Sequence, residues 1–451
     1  MRDASENNSS DAMHRSIRNT GSHLGWRQLP PYAENKQALP AAVWTLAAGG
    51  CAAGTSEFMP AGLLPNIAEQ FGVSIAAAGS LVSVFAGGVI LGAIGAAALN
   101  TRIPRKIGVT TALGSVAAGH IVGAHAVTFE TLLISRLFCA VAVGVFWTYA
   151  TEFTVAISAP TLRVRALARL TSSMVVASVL GVPLGAFLGD QTNWRVVFGA
   201  VAVISVAAAV FLAFVAEPAP LPVPPKSEPV PLCTLLKGKL LLAYLMICIY
   251  ESSVMSLVTF IKPLLLNATG LSIGQVPWAL AAFGIGGFFG LRIAGRYADR
   301  WPNSVLAIAL IAAAASALAL RYASGAGFAT GLACLVGYGL SVFMAAPALN
   351  ARTFAFTEEA PILASAGNTA AFNTGAVLGA AVGGLAVTRW GESAAPLTAA
   401  LFSLLTLFLA LMTSNTGSSH HVRPAGTTAA PSANKNIKDP EMHFARSREA
   451  S

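Results

Sequence analysis

The chain has 451 residues, 55% of them hydrophobic and only 10% charged, against roughly a quarter charged in an ordinary soluble domain. Such a composition cannot furnish a normal water-facing surface, so it excludes a soluble globular fold. The net charge of +9 does not point to nucleic acid, because the bases lie in short connections and tails and not in one aromatic-laced patch.

The first 39 residues are polar and carry Arg2, Arg15, Arg18, Arg27 and Lys36 without the apolar core and small-residue cleavage site of a signal peptide. They read as a cytoplasmic tail, or as an over-extended start with Met13 as the alternative. A membrane-crossing helix needs about 20 apolar residues. Runs of that length are predicted at 41–64, 76–99, 107–126, 130–154, 166–189 and 196–216. Residues 217–238 then contain seven prolines with Lys226, Glu228 and Lys237, a polar linker. Six more spans follow at 239–261, 275–297, 303–322, 326–350, 361–387 and 393–413, and the Ser-, Pro- and charge-rich stretch 414–451 is predicted to be disordered. The expected fold is therefore an all-α membrane protein with twelve transmembrane helices, divided into a half at 40–216 and a half at 239–413.

Positive residues stay on the cytoplasmic side of short connections. Arg102, Arg105 and Lys106, Arg163, Arg165 and Arg169, the linker lysines, and Arg296 with Arg300 fall in connections of one parity. The other parity carries about one base per connection (Arg195, Lys262, Arg321, Arg389) or none. Both termini are expected in the cytoplasm.

Shifting the chain by 198 residues superimposes the second span on the eighth: Phe85 on Phe283, Gly88 on Gly286, Gly92 on Gly290, Arg102 on Arg300 and Pro104 on Pro302. Two six-helix halves in one orientation, joined by a linker, form the parallel-repeat plan of large facilitator-type carriers.

An ionisable side chain inside hydrocarbon is costly and marks a candidate functional residue. Glu57 lies in the first span and Arg136 in the fourth, each roughly 9–10 Å below the same surface at 1.5 Å per residue. Depth thus permits a pair, in which the guanidinium favours the charged carboxylate and desolvation opposes it. A static brace between helices is the competing reading. Glu251, near the middle of the seventh span, is a second candidate for binding substrate or relaying a proton, or else a protonated carboxyl bonded within the bundle. Trp147, Tyr149 and Tyr250, with Phe58, Met59, Met255 and Phe372, are suited to the apolar wall of a substrate cavity, while each alone equally suits lipid contact or core packing. Asn368 and Asn373 recur on one face of the eleventh span, suited to the cavity or to packing bonds. His120 and His125 near the outer end of the third span would titrate near neutrality where exposed. Gly181, Pro183 and Gly185 weaken the fifth span and predict a kink.

Several segments resemble the major facilitator superfamily, and within it the twelve-span drug:proton antiporters. Gly54-Thr55-Ser56-Glu57-Phe58-Met59-Pro60 through Pro65 is similar to that family's first-helix signature, and Gly181-Val182-Pro183-Leu184-Gly185 to its antiporter motif, followed by Asn193-Trp194-Arg195. Residues 283–300, ending Gly295-Arg296-Tyr297-Ala298-Asp299-Arg300, resemble chloramphenicol and arabinose-sugar efflux permeases. The resemblance covers residues 40–413. It implies the major facilitator fold, proton coupling through Glu57 and Arg136, and gating through Arg102, Asp299 and Arg300. The first-half loop departs from the family pattern: it reads Thr101-Arg102-Ile103-Pro104-Arg105-Lys106 and lacks the acid that the second half keeps as Asp299.

No Gly-x-x-x-x-Gly-Lys-Ser/Thr loop, hydrolase triad or metal-ligand spacing occurs in the chain. The five cysteines are scattered and read as reduced packing residues. The expected activity is therefore secondary efflux of a small drug-like compound, chloramphenicol-type first, against inward protons. The protein would work as a monomer in a bacterial cytoplasmic membrane, with lipid around it, no cofactor and no nucleic acid. Sugar or nucleoside transport on the same fold is one alternative, and a non-transporting sensor is another.

Overall fold

A computed structural model describes residues 39–99, 103–159, 162–214, 238–298, 300–322, 328–355 and 361–414. Arg102, Asp299, the linker up to Lys237 and nearly all of both tails lie outside the described residues. All the regular secondary structure among the described residues is helical. A backbone with no water to bond must satisfy itself within each segment, which a helix does.

The first half comprises α1 (Ala41–Phe71), α2 (Ile75–Leu99), α3 (Arg105–Ala124), α4 (Phe129–Ile157), α5 and α6 (Trp194–Phe214). Helix α5 runs through Arg163–Val176, a π-helical turn Ala177–Gly181, and Val182–Gln191. The second half comprises α7 (Gly238–Val258), α8 (Val276–Tyr297), α9 (Pro302–Tyr322), α10 (Phe328–Ala355), α11 (Pro361–Trp390) and α12 (Ala395–Ser414). Among the described residues, eleven helices are long and apolar enough to cross a membrane. The remaining one, α1, has the length at 31 residues, but Glu57, two threonines and several glycines dilute its apolar character.

Predicted and observed ends differ where proline was read as a stop. Helix α1 continues through Pro60 and Pro65 and ends at Gly72, whose φ of 65° suits the left-handed cap. Two missing backbone bonds are tolerated because α1 is clamped along α5 and α6. The seventh span, expected to reach residue 261, ends at Val258. A short turn Ile261–Pro263 and a π turn Leu264–Ala268 follow it.

The sequence repeat is a packing repeat. Helix α2 crosses α4, and α8 crosses α10, each through glycine on both sides. A Cβ at Gly92 would strike the Val141 carbonyl, and one at Gly290 would strike the Leu340 carbonyl. Small residues let membrane helices approach this closely, at the same place in both halves. The halves meet where α2 runs along α11 and α5 along α8. The starts of α3 and α5 and the ends of α8 and α10 share one end of the molecule, which carries Arg105, Lys106, Arg163, Arg165, Arg169, Arg296, Arg300 and Arg352. It is called the arginine-rich end below, and the opposite one the far end.

Candidate functional site

On α1, Glu57, Ala61, Leu64 and Ala68 recur at intervals of four, three and four and so share one helix face. On α7, Glu251, Val254 and Val258 do the same. Ala61, Leu64, Ala68, Val254 and Val258 belong to one buried apolar cluster that crosses between the halves. Val82 of α2, Ala186 of α5 and Phe283 of α8 join it. These residues close the space between the halves toward the far end. Glu57 and Glu251 stand about one helical turn from them on the arginine-rich side, each partly exposed. The charge of Glu57 acts on Glu251 although they belong to different halves. Both carboxyls therefore face one cleft, beneath an apolar seal about 10 Å deep, the length of α1 from Ala61 to Ala68.

Arg136 lies behind α1, inside the first half, with no exposed surface. Its Nη1 donates to Ser56 Oγ at 3.1 Å, and its guanidinium sits 4.1 Å from the centroid of Phe85. Its Nε and Nη2 have no partner. Arg136 and Glu57 act on one another electrostatically but form no direct ion pair. The guanidinium bonds the residue next to the acid, so it is a fixed positive charge at Glu57's back with two donors unused. His120 is also fully buried, with Nδ1 2.9 Å from the Val116 carbonyl and its ring against Phe198. The expectation of a solvent-exposed titrating group does not apply to it.

The predicted apolar wall divides. Trp147 is partly exposed. Its indole packs on Phe146 and beside Gly50 of α1. Tyr149 is 1% exposed and turns away from the cleft, its ring against Gly108 of α3. Tyr250 is also buried: its hydroxyl donates to the Val342 carbonyl at 2.6 Å, and its ring meets Phe372 edge-on. Asn368 is buried and donates to Asn350 Oδ1 at 3.0 Å. Asn373, partly exposed, donates to the Thr369 carbonyl at 2.9 Å. Tyr149, Tyr250 and Asn368 are thus packing residues in this conformation, while Trp147 and Asn373 keep some free surface.

The kink expected of the fifth span is the π turn Ala177–Gly181. Pro183 has no N–H for the carbonyl of Val179 and its ring crowds that carbonyl, so the helix widens by one residue. The widened turn seats on α8, where a Cβ at Gly284 would lie 2.7 Å from Val179 Cα. Gly181 faces α1 so closely that a Cβ would run into the Thr55 side chain, whereas one at Gly185 would meet nothing nearer than Val197 Cγ1 at 3.4 Å. At the start of α6, Trp194 Nε1 donates to Gln70 Oε1 at 2.5 Å, and Arg195 reaches the Ala126 carbonyl at 2.7 Å. This explains the Asn193-Trp194-Arg195 segment as a tie between α6, α1 and the α3–α4 turn. Arg300 is exposed, 4.8 Å from the ring centroid of Trp301.

One polar cluster had no signal in the sequence. At the far end, Lys262 Nζ lies 2.6 Å from Asp190 Oδ1 and 2.8 Å from Asn66 Oδ1. Asn66 Nδ2 donates to the same Asp190 oxygen at 3.2 Å. Burial pulls the Lys262 ammonium below its usual range, and the bond to Asp190 opposes that. Lys262 reads in the sequence as an isolated loop base, and its partners are remote from it along the chain.

A sequence model described as Major Facilitator Superfamily matches residues 46–351 and 240–445. The chloramphenicol resistance protein of Streptomyces lividans is 36% identical over 87% of this chain and 99% of its own length. The inner membrane transport protein YdhP of Escherichia coli K12 is 30% identical over 81% of this chain and 94% of its own. A probable sugar efflux transporter of Helicobacter pylori G27 is 26% identical over 78% and 90%. The crystal structure of a bacterial homolog of the human lysosomal transporter Spinster, inward-facing and unoccupied, shares the fold. It aligns with a TM-score of 0.68 at 15% identity, covering 83% of this chain and 97% of that one.

Proposed function

The chain belongs to the Major Facilitator Superfamily, and from that premise we propose that it is a proton-coupled secondary exporter of a small drug-like compound, chloramphenicol-type first. It is a multi-pass membrane transporter and not an enzyme. The observation that carries the finer reading is the placement of Glu57: a carboxyl partly open to the cleft, at the edge of the apolar seal, with the buried Arg136 charge behind it.

A carboxyl so placed meets two opposed influences, desolvation and a nearby cation, and a change at the cleft alters their balance. Protonation removes a charge from the apolar margin and lets the halves slide past it. Loss of the proton restores a charge that wants water. Alternating access then exposes Glu57 first to one side and then to the other, with substrate and proton using the same cleft. The arginine-rich end, where α1 begins and α12 ends, is the cytoplasmic one, by the retention of positive charge on that side. The name of the Streptomyces relative supports a chloramphenicol-type substrate. The Helicobacter relative favours a second reading, sugar export.

The coupling is tested by transport into vesicles with an imposed proton gradient. Glu57→Gln is expected to lose gradient-driven transport while still allowing the gradient-independent exchange of bound substrate. Full gradient-driven activity in this variant would remove Glu57 from the mechanism. Resistance of an efflux-deficient host to a drug panel, with chloramphenicol first and an uncoupler as control, decides between the two substrate readings.

A further inference from the structure

The two halves close the far end mainly by apolar contact, which has little directional preference. One polar cluster is set into it. Asn66 belongs to α1 and Asp190 to the last turn of α5, both in the first half. Lys262 belongs to the short turn after α7, in the second. The side chains of Lys262 and Asp190 are 1% and 7% exposed, so the ion pair is removed from water by the meeting of the halves.

Such a pair has a conformational meaning that a pair within one half lacks. Arg105 and Glu152, at the arginine-rich end, are both in the first half and about a third exposed. They move together and favour no state over another. Lys262 and Asp190 separate whenever the far end opens, and each then returns to water. A buried pair leaves a heavy penalty on either partner if the other is removed. The bond is also imperfect: Asp190 Oδ2 is buried with no partner, so closure is held without being made irreversible.

We propose that Asn66, Asp190 and Lys262 form the polar latch of the outer gate, holding the far end shut and breaking each time the transporter opens outward. The latch rests on the two-half fold alone and stands whether or not Glu57 carries the proton.

Amide hydrogen exchange of the full chain in lipid nanodiscs tests it without knowledge of the substrate. In Asp190→Asn and Lys262→Met, exchange should rise about tenfold or more at residues 66–72, 188–193 and 259–266. It should fall at residues 163–172 and 290–298, because opening one end closes the other. The exchanged pair Asp190→Lys with Lys262→Asp should return both ends to wild-type rates, since the Asn66 amide can turn to present either its oxygen or its nitrogen. Where the single variants fail to accumulate, Asp190→Ala with Lys262→Ala leaves no buried charge and no side chain to bridge the halves, and should give the same reciprocal change. Wild-type exchange at both ends, a rise at the far end alone, or no rescue by the exchanged pair overturns the latch.

Discussion

Arg136 is a guanidinium with no exposed surface, one good acceptor and two unused donors. A hydrogen bond to a charged group is worth roughly 1.5–3 kcal/mol, and here the acceptor is the Ser56 hydroxyl. Ser56→Ala should therefore destabilise the protein by about that amount in thermal unfolding of the purified transporter, while Ser56→Thr, which keeps the oxygen, should not. Unchanged unfolding in Ser56→Ala would mean that Arg136 finds another acceptor, with Glu57, whose charge acts on it, one candidate. At this scale the sequence carried depth but not direction. Counting along two spans placed Glu57 and Arg136 at one level, and they do act on one another. Counting cannot say which way each helix turns about its axis, and that rotation sends the guanidinium to Ser56. The same lack of rotational information let Tyr149 and Tyr250 be assigned to the cleft, when one turns to Gly108 and the other to Val342.

Among the elements, α5 carries the clearest link from residue to motion. Pro183 creates the π turn, and the turn fits against Gly284 of α8, so the joint between the halves is shaped by a helix defect. Gly181 and Gly185 look equivalent in the motif but differ in surroundings. Gly181→Ala should sharply reduce transport, because the new methyl meets Thr55. Gly185→Ala should be close to neutral. Combining Gly181→Ala with Thr55→Ala removes the obstructing Oγ1 and Cγ2 and should recover most of the activity, a coupling visible in a double-mutant cycle. Equal loss in the two glycine variants would show that helix flexibility, and not contact with α1, is what the motif supplies. The spans themselves were legible, since an apolar run of sufficient length in lipid has one solution. Their ends were less so where proline intervened: α1 runs through Pro60 and Pro65, held by neighbours that no local pattern reveals.

For the whole molecule, the repeat at 198 residues forecast two similar halves because it fell on glycines at helix crossings, where packing constrains sequence most tightly. How the halves close on each other was not forecast, since that depends on contacts between residues distant in the chain. Phe260 is the clearest of these. It is fully buried, and its ring lies so near α2 that a Cβ at Gly79 would be 2.7 Å from Cζ. On its other side a Cβ at Gly383 of α11 would be 3.1 Å from Cε2. The ring of the second half is thus wedged against the first, beside Lys262. Phe260→Ala would leave a cavity in this wedge at a cost of about 3–5 kcal/mol. Where that cost falls on the closed far end alone, it shifts the balance between the two states by more than about a hundredfold. A water-soluble carbodiimide reads the outcome, because it modifies Glu57 and Glu251 only from the side to which the cleft is open. In the wild type both acids should react in inside-out vesicles and resist in right-side-out ones, whereas Phe260→Ala should make them reactive from outside as well. Peptide mass mapping of the two vesicle types measures this. Reaction from outside in the wild type would show that the apolar seal above Glu57 is not closed in the membrane, and protection in Phe260→Ala would show that the remaining contacts suffice without the ring.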